Sequence, residues 1–144
     1  MNVSGSTILI TGGTGSFGNR VATHLLKQSP AEIRIFSRDE KKQWEMQQAY
    51  PQFRYIVGDV RDEASLAEAM DGADLVFHAA ALKHVPSCEQ YPHEAYKTNV
   101  TGSNNACRAA KAASVKTFVA LRPATAGPPL TARGASKAMM EPLV

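Results

Sequence analysis

A glycine-rich segment between an apolar run and an amphipathic stretch constrains the fold of this chain more than any other feature. The segment TGGTGSFGNR places Gly12, Gly15 and Gly18 three residues apart, directly after the apolar run of residues 7–11. The apolar side chains that follow repeat at helical intervals: Val21, Leu25 and Leu26. A strand, a tight turn and a helix in this order bring backbone amides close to a pyrophosphate and pack the helix near the sheet. The alternative interpretation is a glycine-rich loop that binds no ligand.

The alternation of apolar runs and helical segments continues along the chain. Further apolar runs predict strands at residues 33–37, 53–57, 74–78 and 116–121. Helical spacing predicts a helix after Asp39 as N-cap, a helix over 63–70 and a longer helix from about 92 to 113. Short strands joined by helices need crossover connections, which pack helices on both faces of a parallel sheet. We therefore predict an α/β fold with a doubly wound parallel sheet of the Rossmann type.

The length of 144 residues fits one domain with its own hydrophobic core. Residues 122–132 contain three prolines and no hydrophobic period, which predicts a loop, and residues 135–141 predict a short helix. Since a doubly wound domain has six or more strands, we predict a dinucleotide-binding domain over residues 1–144 that is truncated after about five strands and lacks the substrate-binding half. The exposed edge of such a sheet predicts self-association into a homo-oligomer.

Composition and charge argue against several other classes of protein. The chain is 44% hydrophobic and 20% charged, which is typical of a globular domain. It has no basic leader, no apolar run of membrane-spanning length and no metal-ligand spacing around its two cysteines, so we predict a cytoplasmic protein without a membrane or metal site. Residues 95–144 carry seven basic side chains and one acidic side chain. They lack interleaved aromatic partners, which favours a solvated helix face over nucleic-acid binding.

The end of the second predicted strand indicates which nicotinamide cofactor the chain prefers. An acidic side chain there would accept hydrogen bonds from a ribose 2′-hydroxyl and repel a 2′-phosphate, but this chain has Ser37 and Arg38. The Arg38 guanidinium can pair bidentately with a phosphate, and Lys41 or Lys42 adds positive charge. Asp39 has the opposite charge, but its carboxylate serves as the predicted N-cap of the next helix. The pattern favours NADP over NAD.

The carboxyl ends of the third and fourth predicted strands supply further candidates. Asp59 and Val60 follow the third strand, where an adenine would lie. Small residues follow the fourth strand and let a dinucleotide run past the backbone: Ala79, Ala80 and Ala81. His78 precedes these alanines at the strand end, which favours a packed, hydrogen-bonded structural histidine over an acid or a base.

Five segments within residues 7–121 carry a family resemblance: TGGTGSFG, IRIFSRDEKKQWEM, YIVGDVRD, DLVFHAAALKHVPSCEQYPHEAYKTNVTGSNN and VKTFVAL. Together they resemble the extended short-chain dehydrogenases of the polysaccharide-biosynthesis type, the UDP-N-acetylglucosamine 4,6-dehydratases. The glycine-rich segment alone fits any extended short-chain dehydrogenase, including sugar epimerases, whereas AALKHVP with PHEAYKTNVTGSNN is far narrower. The resemblance implies a cytoplasmic enzyme of glycan biosynthesis with NADP as cofactor and a nucleotide sugar, UDP-N-acetylglucosamine, as substrate.

The strand ends and the resemblance together define the predicted cofactor-binding residues. They are Gly12, Thr14, Gly15, Ser16, Phe17, Gly18, Ser37, Arg38, Lys42, Asp59, Val60, Ala79, Ala80, Ala81, Lys83 and Asn99.

The family's catalytic pattern is not matched in this chain. In the family, a base, an acid and a cation come from a Ser/Thr-Asp-Lys segment after the fifth strand and a Tyr/Met-x-x-x-Lys segment in the next helix. The corresponding residues here are Arg122, Pro123, Ala124, Thr125, Arg133 and Lys137. Because Arg cannot act as a base and Ala has no proton to exchange, only Lys137 is left as a catalytic candidate, with a solvent-facing helix position as its alternative. We expect NADP binding without dehydration, and a non-catalytic NADP-binding module is the alternative function.

Overall fold

Five strands form the framework of the residues that the structure, a computed structural model, describes: 2–80, 90 and 92–121. The strands are β1 (Thr7–Thr11), β2 (Glu32–Ser37), β3 (Arg54–Val57), β4 (Leu75–His78) and β5 (Thr117–Ala120). All neighbouring pairs are parallel, and the order across the sheet is β3-β2-β1-β4-β5. Each predicted strand is confirmed to within one residue at either end. This strand order is that of the first five strands of a doubly wound dinucleotide-binding fold, whose full order is 3-2-1-4-5-6.

Helices connect the successive strands. They are α1 (Ser16–Leu26), α2 (Glu40–Ala49), α3 (Glu63–Met70), α4 (Pro92–Tyr96) and α5 (Gly102–Ala112). A π-helical turn, Lys97–Thr101, joins α4 to α5. The longer helix predicted over about 92–113 is confirmed in its extent, but the π-helical turn within it was not predicted. Because the π-helical turn widens the helix without a proline or glycine inside it, the apolar periodicity carries no sign of it.

The N-termini of α2 and α3 are capped by aspartates. The Asp39 side chain accepts a hydrogen bond from the Lys42 backbone N–H at 3.0 Å. Asp62 accepts from the Ala64 backbone N–H at 3.1 Å. The prediction of Asp39 as an N-cap is confirmed, and such a cap stabilises a helix by about 1 kcal/mol.

Alternate side chains of the strands pack into two cores, one on each face of the sheet. On one face, Leu9, Phe36 and Val76 pack with residues of α3 and α5. On the other face, Ile8 and Ile35 pack with residues of α1 and α2. Full burial of a side chain of this size stabilises a fold by about 1.5–3 kcal/mol. The predicted doubly wound α/β fold, with helices on both faces of a parallel sheet, is confirmed.

Some predictions about the loops, helices and domain organisation are not tested by the described residues. The loop predicted at 122–132 and the helix predicted at 135–141 lie outside the described residues. The domain boundaries, the truncation of the sheet and the homo-oligomer stay predictions. Within the described ranges, none of the helices combines the length and the apolar character needed to cross a lipid bilayer.

Candidate functional site

The carboxyl ends of β1 to β4 meet at one edge of the sheet and border a cleft of about 590 Å³. Ten residues of the predicted cofactor-binding set line this cleft: Gly12, Thr14, Gly15, Ser16, Ser37, Arg38, Lys42, Val60, Ala79 and Ala80. Four residues outside the predicted set also line it: Phe36, Asp39, Gly58 and Thr98. The fold therefore brings most of the predicted residues to one place.

The glycine turn, residues 12–15 between β1 and α1, borders the cleft with backbone. Gly12 has a φ of +66°, and a Cβ built on it would lie 2.8 Å from the Ala80 backbone nitrogen. A Cβ built on Gly18 would lie 2.5 Å from the Gly12 carbonyl oxygen. Only glycine at these two positions lets the turn lie against both the end of β4 and the first turn of α1.

The N-terminus of α1 opens onto the cleft without a side-chain cap among the described residues. Its N-cap residue, Gly15, makes no side-chain hydrogen bond, and the first turn of α1 contains no acidic residue. Gly15 and Ser16 both line the cleft. The first amides of a helix have no intrahelical acceptor and lie at the positive end of the helix dipole, so this end of the cleft favours an anion.

A second polar part of the cleft is the selector segment, residues 37–42 at the end of β2 and the start of α2. Ser37 is 8% exposed, whereas the side chains of Arg38 and Lys42 are 51% and 60% exposed. The Asp39 carboxylate accepts the Lys42 backbone N–H and lies 4.0 Å from the Lys42 Nζ. The Asp39 carboxylate is thus occupied by α2 and Lys42, whereas Arg38 lies near a different carboxylate, that of Asp59.

Asp59 follows β3 but is not among the residues that line the cleft. Arg61 holds its carboxylate, because the Arg61 Nε and Nη2 donate to Oδ2 at 2.9 and 2.7 Å. The Arg38 Nη1 lies farther from the same oxygen, at 3.9 Å. Burial acts to raise the pKa of Asp59, but hydrogen bonds from Arg61 outweigh burial and lower this pKa below its ordinary value. Arg61 thus neutralises Asp59 and leaves the Arg38 guanidinium able to pair with another anion.

The other predicted residues have different surroundings. Phe17 is 38% exposed on α1, Gly18 is buried beneath the glycine turn, and Asn99 is fully buried in the π-helical turn. None of these three lines the cleft. The remaining predicted site residues lie outside the described residues: Ala81, Lys83, Lys137 and the unmatched positions Arg122, Pro123, Ala124, Thr125 and Arg133. The roles of all these residues stay predictions.

His78 connects the end of β4 to β1 and α5 in the buried layer behind the cleft. Its Nδ1 lies 2.7 Å from Thr11 Oγ1, and its Nε2 lies 3.1 Å from Ser103 Oγ. Ser103 donates its proton to the Asn99 carbonyl at 2.7 Å, so it accepts from His78 Nε2–H, and His78 Nδ1 accepts from Thr11. Burial lowers the pKa of His78 to about 4, which leaves the imidazole neutral. The prediction of a structural histidine is confirmed.

Gly58 and Thr98 line the cleft but were not predicted from the sequence. A Cβ on Gly58 would lie 2.6 Å from the Phe36 ring, so glycine lets the chain after β3 cross that ring. Thr98 is 5% exposed, and its hydroxyl has no hydrogen-bond partner within the described part of the chain. Each of these residues stands directly before a predicted one, Gly58 before Asp59 and Thr98 before Asn99, and that adjacency is the signal that could have found them.

Comparison with known sequences finds relatives that are longer than this chain. A UDP-glucose 4-epimerase of Rickettsia bellii (strain RML369-C) is 52% identical over 143 residues, covering 95% of this chain and 42% of that protein. A protein of the same name from Rickettsia felis (strain ATCC VR-1525 / URRWXCal2) is also 52% identical, with the same coverage. This chain thus spans less than half the length of these curated relatives.

Solved structures share the fold of this chain, and a family model matches most of its sequence. Pen from Bacillus thuringiensis has a TM-score of 0.97 and 38% identity, covering 100% of this chain and 45% of that chain. The Bordetella bronchiseptica enzyme WbmG, solved in complex with NAD, has a TM-score of 0.82 and 31% identity, covering 97% of this chain and 49% of its own. A family model described as polysaccharide biosynthesis protein matches residues 8–144. This chain therefore belongs to the polysaccharide biosynthesis protein family.

Proposed function

We propose that this chain is the NADP-binding domain of an enzyme that modifies UDP-sugars for polysaccharide or glycan biosynthesis. The observation that carries the proposal is the cleft, which the uncapped N-terminus of α1 and the cationic selector segment border together. NADP has two anionic parts, the pyrophosphate and the 2′-phosphate, and each matches one of these regions in charge. The solved complexes of WbmG with NAD, and with NAD and UDP, support the two ligand classes.

The backbone around the cleft also supports the proposal. Gly12 permits the turn to lie against Ala80 with no side chain between them, and this keeps the cleft open beside the backbone. In the proposed arrangement, backbone amides at the start of α1, beginning with that of Ser16, bind the pyrophosphate. Arg38 binds the 2′-phosphate as a bidentate donor.

The proposed reaction is that of a UDP-N-acetylglucosamine 4,6-dehydratase, on the resemblance of AALKHVP and PHEAYKTNVTGSNN to that family. A nicotinamide ring, when bound, supplies reversible hydride transfer. The protein must add a base, an acid and a cation beside the sugar, and the sequence offers Lys137 with Ala124, Thr125 and Arg133 at the unmatched positions. We therefore propose that this chain binds NADP without turning over the sugar, as a non-catalytic module would also do.

A second candidate reaction is C4 epimerisation of a UDP-sugar. The observation that favours it is the name UDP-glucose 4-epimerase of the Rickettsia relatives, which are 52% identical to this chain. The two reactions are distinguished by their products. A C4 epimer keeps its C6 hydroxyl, whereas dehydration leaves a 4-keto-6-deoxy sugar with one water fewer.

Two measurements test the proposed function. Calorimetric titration of the purified chain with NADP and with NAD, at one salt concentration, is expected to give a Kd at least about tenfold lower for NADP. Equal affinities would contradict the NADP assignment, and absence of binding to either would contradict the domain assignment.

The second measurement is of product. Incubation with NADP and UDP-N-acetylglucosamine or UDP-glucose, followed by mass spectrometry and NMR, is expected to show the unchanged sugar. A 4-keto-6-deoxy product would contradict the predicted loss of catalysis and support the dehydratase. A C4 epimer would support the second candidate.

The homo-oligomer is proposed on the exposed edge predicted for the sheet. Sedimentation at micromolar concentration is expected to show species larger than the 15.5 kDa chain. A single species of 15.5 kDa would contradict it.

A further inference from the structure

Gln43 is a buried amide directly beneath the selector segment. It lies in the first turn of α2 and is 5% exposed, although its neighbours Lys42 and Trp44 are exposed. Its Nε2 donates to the Ile56 carbonyl at 2.8 Å and to the Ser37 hydroxyl oxygen at 3.1 Å. A third, longer contact joins Nε2 to the Ser37 carbonyl at 3.3 Å.

The hydrogen-bonding partners determine which way the amide and the hydroxyl point their protons. The carbonyls of Ile56 and Ser37 only accept, so the amide nitrogen and not its oxygen must face them. The Ser37 carbonyl already accepts the Gly58 backbone N–H at 2.9 Å. By distance, the two amide protons go to the Ile56 carbonyl at 2.8 Å and to the Ser37 hydroxyl oxygen at 3.1 Å, which acts as an acceptor in this pair.

A Ser37 hydroxyl that accepts from Gln43 can still donate its own proton to another group. No acceptor for that proton is found among residues 2–80, 90 and 92–121. Ser37 lines the cleft next to Arg38. A phosphate monoester only accepts hydrogen bonds once it is ionised, whereas a ribose hydroxyl both donates and accepts, so a fixed donor beside Arg38 favours the phosphate.

We propose that Gln43 is a positioning residue for cofactor selection, because it fixes the Ser37 hydroxyl as a donor to the 2′-phosphate of NADP. The inference rests on the proposed binding of NADP and goes beyond it by assigning part of the selectivity to a side chain that does not line the cleft. Gln43 also ties α2 to the ends of β2 and β3, so its effect on selectivity must be separated from its effect on stability.

The test compares Gln43→Met with Gln47→Met, an exposed glutamine of the same helix. Both variants and the unchanged chain are titrated with NADP and NAD, and thermal unfolding is followed in parallel. For Gln43→Met we expect the Kd for NADP to rise about tenfold and the Kd for NAD to change less than about twofold. Gln47→Met is expected to leave both values unchanged. Equal weakening of both cofactors would show a merely structural role and overturn the proposal.

A double-mutant cycle tests the route through Ser37. Ser37→Ala alone should lower the preference for NADP by about the same factor as Gln43→Met, and the two together should do little more than either one. Full additivity would overturn the proposal. If Gln43→Met does not fold, Ser37→Ala still tests the proposal. An unchanged ratio of the Kd values for NADP and NAD in Ser37→Ala would contradict a donor role for Ser37.

The unchanged chain separates this inference from the proposed function. If it binds NADP no more tightly than NAD, the proposed NADP preference fails and the role of Gln43 fails with it. If it prefers NADP and the preference survives both Gln43→Met and Ser37→Ala, only the inference about Gln43 is wrong.

Discussion

The glycine turn contributes backbone to the cleft, whereas the selector segment contributes side chains. Gly12 in the turn and Gly18 beneath it are packed so closely that a Cβ on either would overlap backbone atoms. In the selector segment, the side chains of Arg38 and Lys42 are more than half exposed, and among the described residues they make only long ionic contacts. The backbone of the glycine turn is therefore fixed by close packing. The charged side chains of the selector segment are free to contact a ligand.

This difference assigns the affinity for both cofactors to the glycine turn and the preference for NADP over NAD to the selector segment. Backbone amides at a helix N-terminus bind any pyrophosphate, which NAD and NADP share. Side-chain cations at the end of β2 act on the 2′-phosphate, which only NADP carries. Changes in the glycine turn should therefore weaken both cofactors equally, and changes in the selector segment should alter the ratio of their affinities.

The largest effect is expected for Gly12→Ala. The added methyl group would meet the Ala80 backbone nitrogen at 2.8 Å in a residue whose φ is +66°. Displacement of the turn should raise the Kd of both cofactors on the order of 100-fold and lower the free energy of unfolding by roughly 1–3 kcal/mol. Calorimetry and urea unfolding measure the two quantities.

Gly5→Ala is the matched control for Gly12→Ala. Gly5 has a similar φ of +70°, but a Cβ there would meet nothing within 4 Å. Only the conformational strain of about 1–2 kcal/mol should remain, with both Kd values unchanged. Similar cofactor affinities for the two variants would show that the close approach of Gly12 to β4 does not matter for binding.

The next largest effect is the pH dependence of the free energy of unfolding that protonation of His78 causes. The pKa of His78 falls from 6.5 to about 4 on burial, so the unfolded chain takes up a proton before the folded chain does. The stability should therefore be unaffected above about pH 6.5 and fall as the pH is lowered from there towards 4, by about 2 kcal/mol at pH 5. Urea unfolding at pH 7 and pH 5 measures it.

His78→Gln isolates this contribution, because glutamine has no proton to take up in this range. The variant should lose most of the dependence on pH, whereas His24→Gln, at an exposed position on α1, should keep it. An unchanged dependence in His78→Gln would contradict a neutral, buried imidazole. The ratio of the two cofactor affinities should not respond to either variant.

The smallest effect is expected for Thr98→Val. The Thr98 hydroxyl is buried without a hydrogen-bond partner in the described residues, so its replacement by a methyl group of similar size should stabilise the ligand-free chain by about 1 kcal/mol. Thr11→Val is the control, since the Thr11 hydroxyl is bonded to His78 at 2.7 Å and its loss should destabilise the chain. Equal destabilisation by the two variants, measured by thermal unfolding, would show that Thr98 has a partner.

The sequence predicted most of the fold because the fold depends on local patterns. Short apolar runs match the strands to within one residue, and Asp39 is the N-cap that its position before a helical segment indicated. The glycine turn was predicted for the same reason, since the spacing of three glycines after a strand reports a local steric need.

The interior of the site could not be predicted, because it depends on contacts between distant segments. Gln43 is a polar residue on the buried face of α2, and its partners Ser37 and Ile56 belong to two different strands. Arg61 neutralises Asp59 through a side-chain geometry that no spacing reveals. Sequence reasoning identified the residues at the edge of the sheet but not the buried groups that orient them.

One comparison tests the central claim, that the selector segment decides between the cofactors, most directly. The unchanged chain, Arg38→Ala and the control Arg108→Ala, an exposed arginine of α5, are each titrated with NADP and NAD. A charged bidentate contact contributes about 1.5–3 kcal/mol, so Arg38→Ala should weaken NADP binding by about tenfold or more and leave NAD binding nearly unchanged. Arg108→Ala should change neither. Equal losses of NADP and NAD affinity in Arg38→Ala would show that Arg38 is not the selector and would contradict the claim.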